Sequence, residues 1–398
     1  MLPYGKQSID QSDIDEVIRV LRSDYLTTGP EIELLEQAFC QATGARHAVA
    51  CANGTAALHL IAMAMNLQPG DEVVVPSISF VATANGARYC GADVVFADVD
   101  PETSLMTPAT LEAALKRVTP GKLKAIFAVH MGGHPADMPA LKAIADREGV
   151  FMVEDACHAL GTTYTTADGR EHRIGDGAHS DFAALSLHPV KTITCGEGGI
   201  VFTPHDHFAH DLKIKRSHGL SRDADEWTNG ELAFEEGTGA ANPWYYELGE
   251  VGYNYRLTDF QAAMARSQLK RLPHFAARRR RLVALYHQKL DGLSNVVKLV
   301  APRDGTDPVL HLMVALIDFK AIGKTRKEVM MALRQRGVGT QVHYIPIHRQ
   351  PYYARRAVGL DLPGADAYYA KCLSLPLYPD MTDADVDVVV GALREIAG

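Results

Sequence analysis

Apolar and polar positions follow two kinds of pattern along the first two thirds of the chain. Residues 12–23, 30–43 and 55–65 repeat apolar side chains at helical spacing, as do 107–117 and 138–147. Between and after them come short strand-type runs at 72–75, 93–97, 125–129, 150–153 and 182–187. A serine N-cap opens the first helix, Asn53-Gly54 opens the third, and Gly149 reads as a helix stop before the 150–153 strand. Helix and strand in alternation predict a mostly parallel sheet covered on both faces.

The pattern breaks at 221–250, which is rich in Gly, Glu, Asn and aromatic residues and has no sustained period. A loop of this length in a compact domain is expected to be functional or mobile. A long helix is then expected over 258–290, kinked at Pro273. Strands at 310–317 and 339–343 and helices at 325–336 and 382–396 predict a smaller α/β domain. The 398 residues exceed the size at which one core usually stops growing. The expected division is a large domain, 1–260, with an N-terminal arm, and a small C-terminal domain, 261–398, that includes the connecting helix.

Composition narrows the function classes. Hydrophobic residues at 47% and charged residues at 22% describe an ordinary soluble globular protein. A net charge of -8 argues against general binding to nucleic acid or anionic membranes. The start has no signal-type apolar region, and no run approaches the ~20 apolar residues of a bilayer span. Six scattered cysteines without C-x-x-C pairs suit a reducing cytoplasm better than a disulfide scaffold or a zinc site.

The richest stretch chemically is Ser186-Leu187-His188-Pro189-Val190-Lys191, followed by Thr192-Ile193-Thr194-Cys195-Gly196-Glu197-Gly198-Gly199. A strand delivers one lysine into a turn of small and polar residues, with a hydroxyl five positions before it. That layout suits a desolvated lysine acting as a Schiff-base nucleophile, with Ser186 placed to hold a phosphate. Asp155 ends an apolar strand, where α/β sheets place ligand groups. Glu154 competes with it, and spacing alone does not choose. Asn53-Gly54-Thr55 opens a helix, and its N–H groups suit an anion, although the same residues also make an ordinary cap.

With Val153-Glu154-Asp155-Ala156-Cys157-His158-Ala159 upstream and Gly252-Tyr253-Asn254-Tyr255-Arg256-Leu257-Thr258-Asp259 downstream, the lysine segment resembles the DegT/DnrJ/EryC1/StrS sugar aminotransferases. The likeness runs in the family's order from Pro3 to the C-terminus. It implies an aminotransferase of fold type I that uses pyridoxal 5'-phosphate (PLP), with a large PLP-binding domain and a small α/β domain. Lys191 would carry the cofactor and shuttle the proton. Relatives with histidine there catalyse dehydration, so lysine favours transamination. The family pattern selects Asp155 over Glu154 as partner of the pyridine nitrogen. By the same resemblance Gly54, Thr55 and Ser186 would hold the phosphate, Phe80 would stack on the ring, and His158 would stand near the cofactor hydroxyl. Asn254 and Arg256 would reach the partner subunit's site, which implies a homodimer with shared active sites.

Subfamily features go further. His188-Pro189-Val190-Lys191, Pro243-Trp244-Tyr245-Tyr246-Glu247, the segment 78–85 and Gln341-Val342-His343-Tyr344-Ile345-Pro346-Ile347 resemble the branch that acts in pseudaminic acid biosynthesis. The implied substrates are a UDP-linked 4-keto-6-deoxy sugar and L-glutamate. Tyr4, Thr28, His188, Trp244, Tyr245, Arg256, His343 and Tyr344 are the candidate substrate contacts. Amination of another nucleotide sugar at C4, in the bacillosamine or 4-amino-4-deoxyarabinose pathway, is the nearest alternative; a non-catalytic sensor on the PLP fold is the remote one. The basic run at 278–281 reads as a solvated or ion-paired helix surface. His205, His207 and His210 read as a polar loop and not as a metal site, and no metal is expected.

Overall fold

A computed structural model describes residues 1–397. Its centre is a seven-stranded sheet built from β1 (His47–Cys51), β2 (Glu72–Pro76), β3 (Asp93–Ala97), β4 (Leu123–Val129), β5 (Phe151–Asp155), β6 (Phe182–Ser186) and β7 (Gly199–Thr203). The spatial order is β1-β7-β6-β5-β4-β2-β3. From β6 to β3 every pairing is parallel, while β7 runs antiparallel to both β1 and β6. Val73 and Val75 pack on one face of the sheet and Val74 on the other; Val153 and Met152 divide in the same way. Two covered faces explain why these strands read as continuous apolar runs.

The helices that matter for the site are α1 (Gln11–Leu21), α2 (Glu31–Thr43), α3 (Gly54–Ala64), α4 (Ala82–Tyr89), α5 (Asp259–Lys270) and α6 (Leu272–Leu290). A second, three-stranded antiparallel sheet holds β8 (Val297–Leu299), β9 (Met313–Ile317) and β10 (Cys372–Leu375), with β9 in the middle. Leu282, Tyr286, Val389 and Leu393 close a core over it.

Several expectations are corrected. Asp10, not Ser12, caps α1, and its side chain accepts from the N–H groups of Ser12 and Asp13. The single kinked helix over 258–290 is two helices that break at Arg271. Pro273 lies in the first turn of α6, where its missing N–H costs nothing. Residues 339–343 form no strand; the backbone makes only an isolated bridge, Gln341 to Ser374. His207 and His210 lie on the helix Asp206–Lys215, not in a loop, and His205 is its N-cap. The basic run is only partly a surface. Arg278 and Arg281 pair with Asp383, and Arg280 with Asp307. Arg279 is buried, with its guanidinium on the carbonyl oxygens of Leu310, His311 and Leu377.

Candidate active site

A cleft of about 760 Å³ opens beside the carboxyl ends of β5 and β6, and His343 and Tyr344 are part of its wall. Eleven of the candidate residues line it: Tyr4, Gly54, Thr55, Phe80, Asp155, His158, Ser186, His188, Lys191, His343 and Tyr344. Parallel strands with helices on both faces leave their carboxyl ends open, which is why ligand groups collect there.

Strand alternation resolves the two acids at the end of β5. Glu154 points into the protein, where Oε2 faces His130 Nε2 at 2.8 Å and Oε1 accepts from the Ser180 hydroxyl. Asp155 points into the cleft. Its Oδ2 accepts from Thr83 Oγ1 at 2.6 Å and its Oδ1 from the Cys157 N–H at 3.2 Å. Since Thr83 gives its only hydroxyl proton to Asp155, Ser79 Oγ donates to Thr83 Oγ1 at 2.7 Å. This Ser79–Thr83 brace escaped the sequence reading. Its signal was the pair of hydroxyls four residues apart at the start of α4.

Lys191 is half-buried on the cleft wall, in a turn closed by its own N–H on His188 O at 2.9 Å. Burial lowers its pKa, and the neighbouring Asp155 carboxylate opposes that shift. Burial also lifts the Cys157 thiol well above its ordinary range, so that side chain stays neutral and Asp155 is the charge that counts. The free amine is therefore reached at lower pH than in an exposed lysine.

The head of α3 forms another part of the cleft wall. Asn53 Oδ1 caps α3 by accepting from the Ala56 N–H at 2.8 Å, and the N–H groups of Gly54 and Thr55 head the helix. Ser186 packs against them; a Cβ on Gly54 would come within 2.8 Å of Ser186 Cβ. Glycine is required there for the helix end and the strand end to meet.

His158 is held at both nitrogens. The Gly132 N–H donates to Nδ1 at 3.2 Å, so the ring proton sits on Nε2 and is donated to Tyr344 Oη at 3.3 Å. Burial, and then the positive charge of Lys191, push its pKa well below the usual value, which keeps the ring neutral. His343 is pushed down to about 3, by burial first, and its Nδ1 meets Ser374 Oγ at 2.7 Å. Phe80 is half exposed at the mouth, with Tyr344 6.0 Å away between ring centroids. Tyr4 of the N-terminal arm packs on His343 at 5.3 Å. His311, which the sequence reading also missed, lines the cleft next to His158.

Five candidates do not line this cleft. Thr28 and Arg256 lie on a separate hollow of about 330 Å³ with Glu36, Lys213 and Arg216. Asn254 is exposed and bridges Ser217 through the backbone. Trp244 is 73% exposed, and Tyr245 donates to Glu247 Oε2 at 3.0 Å while packing on Trp227. Among the described residues, no cluster of His, Cys, Asp or Glu could hold a metal ion, and no helix is long and apolar enough to cross a membrane.

Known proteins share this architecture. The chain is similar over 99% of its length to PseC of Helicobacter pylori, an aminotransferase involved in the biosynthesis of pseudoaminic acid (25% identity, 98% of that chain, TM-score 0.87). It is also similar to DesV of S. venezuelae, with 34% identity, 97% of this chain and 94% of that chain covered, and a TM-score of 0.83. The PLP form of Spr1654 of Streptococcus pneumoniae, described as a candidate sugar aminotransferase, matches at 25% identity, over 100% and 98% of the two chains, with a TM-score of 0.86. Residues 7–394 match the DegT/DnrJ/EryC1/StrS aminotransferase family. The chain therefore belongs to that family, and is a PLP-dependent sugar aminotransferase.

Proposed function

We propose that this enzyme transfers the amino group of L-glutamate to C4 of UDP-2-acetamido-2,6-dideoxy-β-L-arabino-hexos-4-ulose. The products are UDP-4-amino-4,6-dideoxy-N-acetyl-β-L-altrosamine, a pseudaminic acid precursor, and 2-oxoglutarate. The observation that carries the chemistry is the gathering of Lys191, Asp155, Ser186 and the α3 N-terminus on one cleft. Support for the sugar is the likeness to PseC together with the subfamily segments.

The residues fit PLP. A desolvated amine, a cleft-facing carboxylate braced by Thr83, and a helix end that a Cβ on Gly54 would spoil form the donor set that this cofactor needs. When bound, PLP supplies an aldehyde carbon and an electron-withdrawing ring. Asp155 would keep the ring nitrogen protonated, its position fixed by Thr83 and Ser79. The Gly54 and Thr55 N–H groups and Ser186 would take the phosphate. His158, donating from Nε2, and Phe80 would orient the ring. Lys191 would hold the cofactor at rest, then accept a proton from the donor's α-carbon and return it in the direction the reaction requires. Asn254, exposed and outside its own cleft, would complete the partner's phosphate site in a homodimer. Trp244 and Tyr245 would meet sugar across the same boundary.

The identity to DesV is higher than that to PseC, and it favours a second reading in which the same machinery serves a different nucleotide sugar. A competition assay separates the two. Enzyme, PLP and L-glutamate are given the L-arabino and D-xylo epimers of the 4-keto sugar together, and the amino sugars are quantified. Preference for the L-arabino epimer supports the pseudaminic assignment, and preference for the D-xylo epimer moves the enzyme to bacillosamine chemistry. Amination of neither, while glutamate still changes the cofactor absorbance, removes both sugars and keeps the transaminase.

A further inference from the structure

The histidines in and behind the cleft are not equivalent. His130 accepts from the Ala136 N–H at Nδ1 and faces Glu154 through Nε2. His158 uses both nitrogens, and His343 binds Ser374. His311 is 4% exposed and lines the cleft with its ring 4.8 Å from that of His158, yet its Nδ1 has no partner among the described residues. A buried imidazole nitrogen left unpaired is a cost that an apolar side chain would avoid.

Its position is fixed by the backbone. The His311 N–H donates to Gly132 O at 2.8 Å, while the Gly132 N–H holds His158. One glycine in a left-handed turn (φ 67°) thus carries both imidazoles. Behind them the buried Arg279 guanidinium is bonded to carbonyl oxygens, not to a carboxylate, so its positive charge extends toward His311.

An amino donor brings an α-carboxylate into this cleft. Among the described residues no arginine lines it, and Lys191 is committed to the amine chemistry. We propose that His311 receives the α-carboxylate of the amino donor, its imidazole donating an N–H to a carboxylate oxygen beside His158. Burial, and then the positive charge of Lys191, push the His311 pKa well below its usual value, and a neutral donor suits a cleft that must next admit a sugar without a carboxylate there. An arginine would then be left as a buried unpaired cation. The inference rests on the transaminase reading and is independent of which sugar is used.

The test uses the PLP-loaded enzyme and two variants: His311→Leu, which keeps the packing and loses the donor, and His311→Gln, which keeps an N–H. Binding of α-methyl-L-glutamate, which has no α-proton to lose, is followed by cofactor absorbance. The two half-reactions are timed separately in single turnovers. His311→Leu is expected to weaken binding and raise the donor KM about 10–100-fold, with the sugar half-reaction unchanged within about threefold. His311→Gln should recover part of the loss. Unchanged donor affinity in His311→Leu, or an equal loss in the sugar half-reaction, would overturn the assignment. So would a defect seen with L-glutamate but absent with L-alanine, which would place His311 on the side-chain carboxylate. Failure of the sugar assignment would appear only in the second half-reaction of the wild type.

Discussion

The strand ends of the large sheet and the segment from 221 to 256 both carry candidate chemistry, and the fold treats them differently. Asp155, Ser186 and the head of α3 are pinned by a sheet whose faces are both buried, and they converge on one cleft. The second segment has only short pieces of regular structure, such as Leu220–Ser221 against Glu247–Leu248, and Trp244, Leu248 and Val251 stay exposed. Its Tyr255 lines the chain's own cleft, but Trp244, Tyr245, Asn254 and Arg256 do not. A site built on strand ends is assembled once the chain folds; in the proposed homodimer the exposed segment would add its residues to the partner's cleft.

Five substitutions, one of them read as a pH profile, test that contrast. Lys191→Ala should lower turnover by at least about 10⁴-fold and remove the cofactor's lysine-bound absorbance. Near-normal turnover would take this lysine out of the chemistry. Asp155→Ala should cost about 10²–10³-fold in kcat, with the cofactor still bound but less reactive. Asn254→Ala should weaken cofactor retention about 10–100-fold, and mixing is its informative readout. If the sites are shared, equal amounts of Lys191→Ala and Asn254→Ala chains, allowed to exchange, should regain about a quarter of wild-type activity, because half the dimers hold one intact site. No recovery would make Asn254 a residue of its own chain's site, or of none.

Stability against pH probes the buried side. His343 has its pKa pushed from 6.5 to about 3 in the fold, so between those values the unfolded chain binds a proton that the folded chain does not. Stability is full above about pH 6.5 and should fall by about 1.4 kcal/mol per pH unit below it for this group. His343→Gln should reduce the slope of that part of the denaturation profile by about one proton, with other buried histidines, among them His134, His158 and His311, supplying the rest; an unchanged slope would refute the burial argument. The smallest effect is expected on the exposed side. Trp244→Ala should raise the sugar KM about threefold and leave the donor half-reaction and the thermal midpoint alone.

Much of this arrangement was legible in the residues. Alternating periods gave the parallel strands because a sheet covered on both faces imposes continuous apolar runs, as in 125–129 and 182–187. Strand β1 and the antiparallel β7 carried no clear separate signal, since short apolar runs read alike in any direction. The break at Arg271 was misplaced because proline marks a first turn as readily as a kink.

For the site, local motifs were enough to nominate Lys191, Ser186 and the Gly54 helix end, since each depends on neighbours within a few residues. Spacing alone did not choose between Asp155 and Glu154, although the family pattern named Asp155; the pleat supplies the physical reason, because adjacent residues differ only in which face they meet. The roles of Thr83, His311 and Arg279 could not be read from the sequence for the same reason: their partners lie 72, 153 or more, and 31 or more residues away. Sequence determined the chemistry of the lysine turn and the layering of the fold. Only tertiary packing decided which buried polar groups face the cleft, because burial and pairing depend on what the rest of the chain brings alongside.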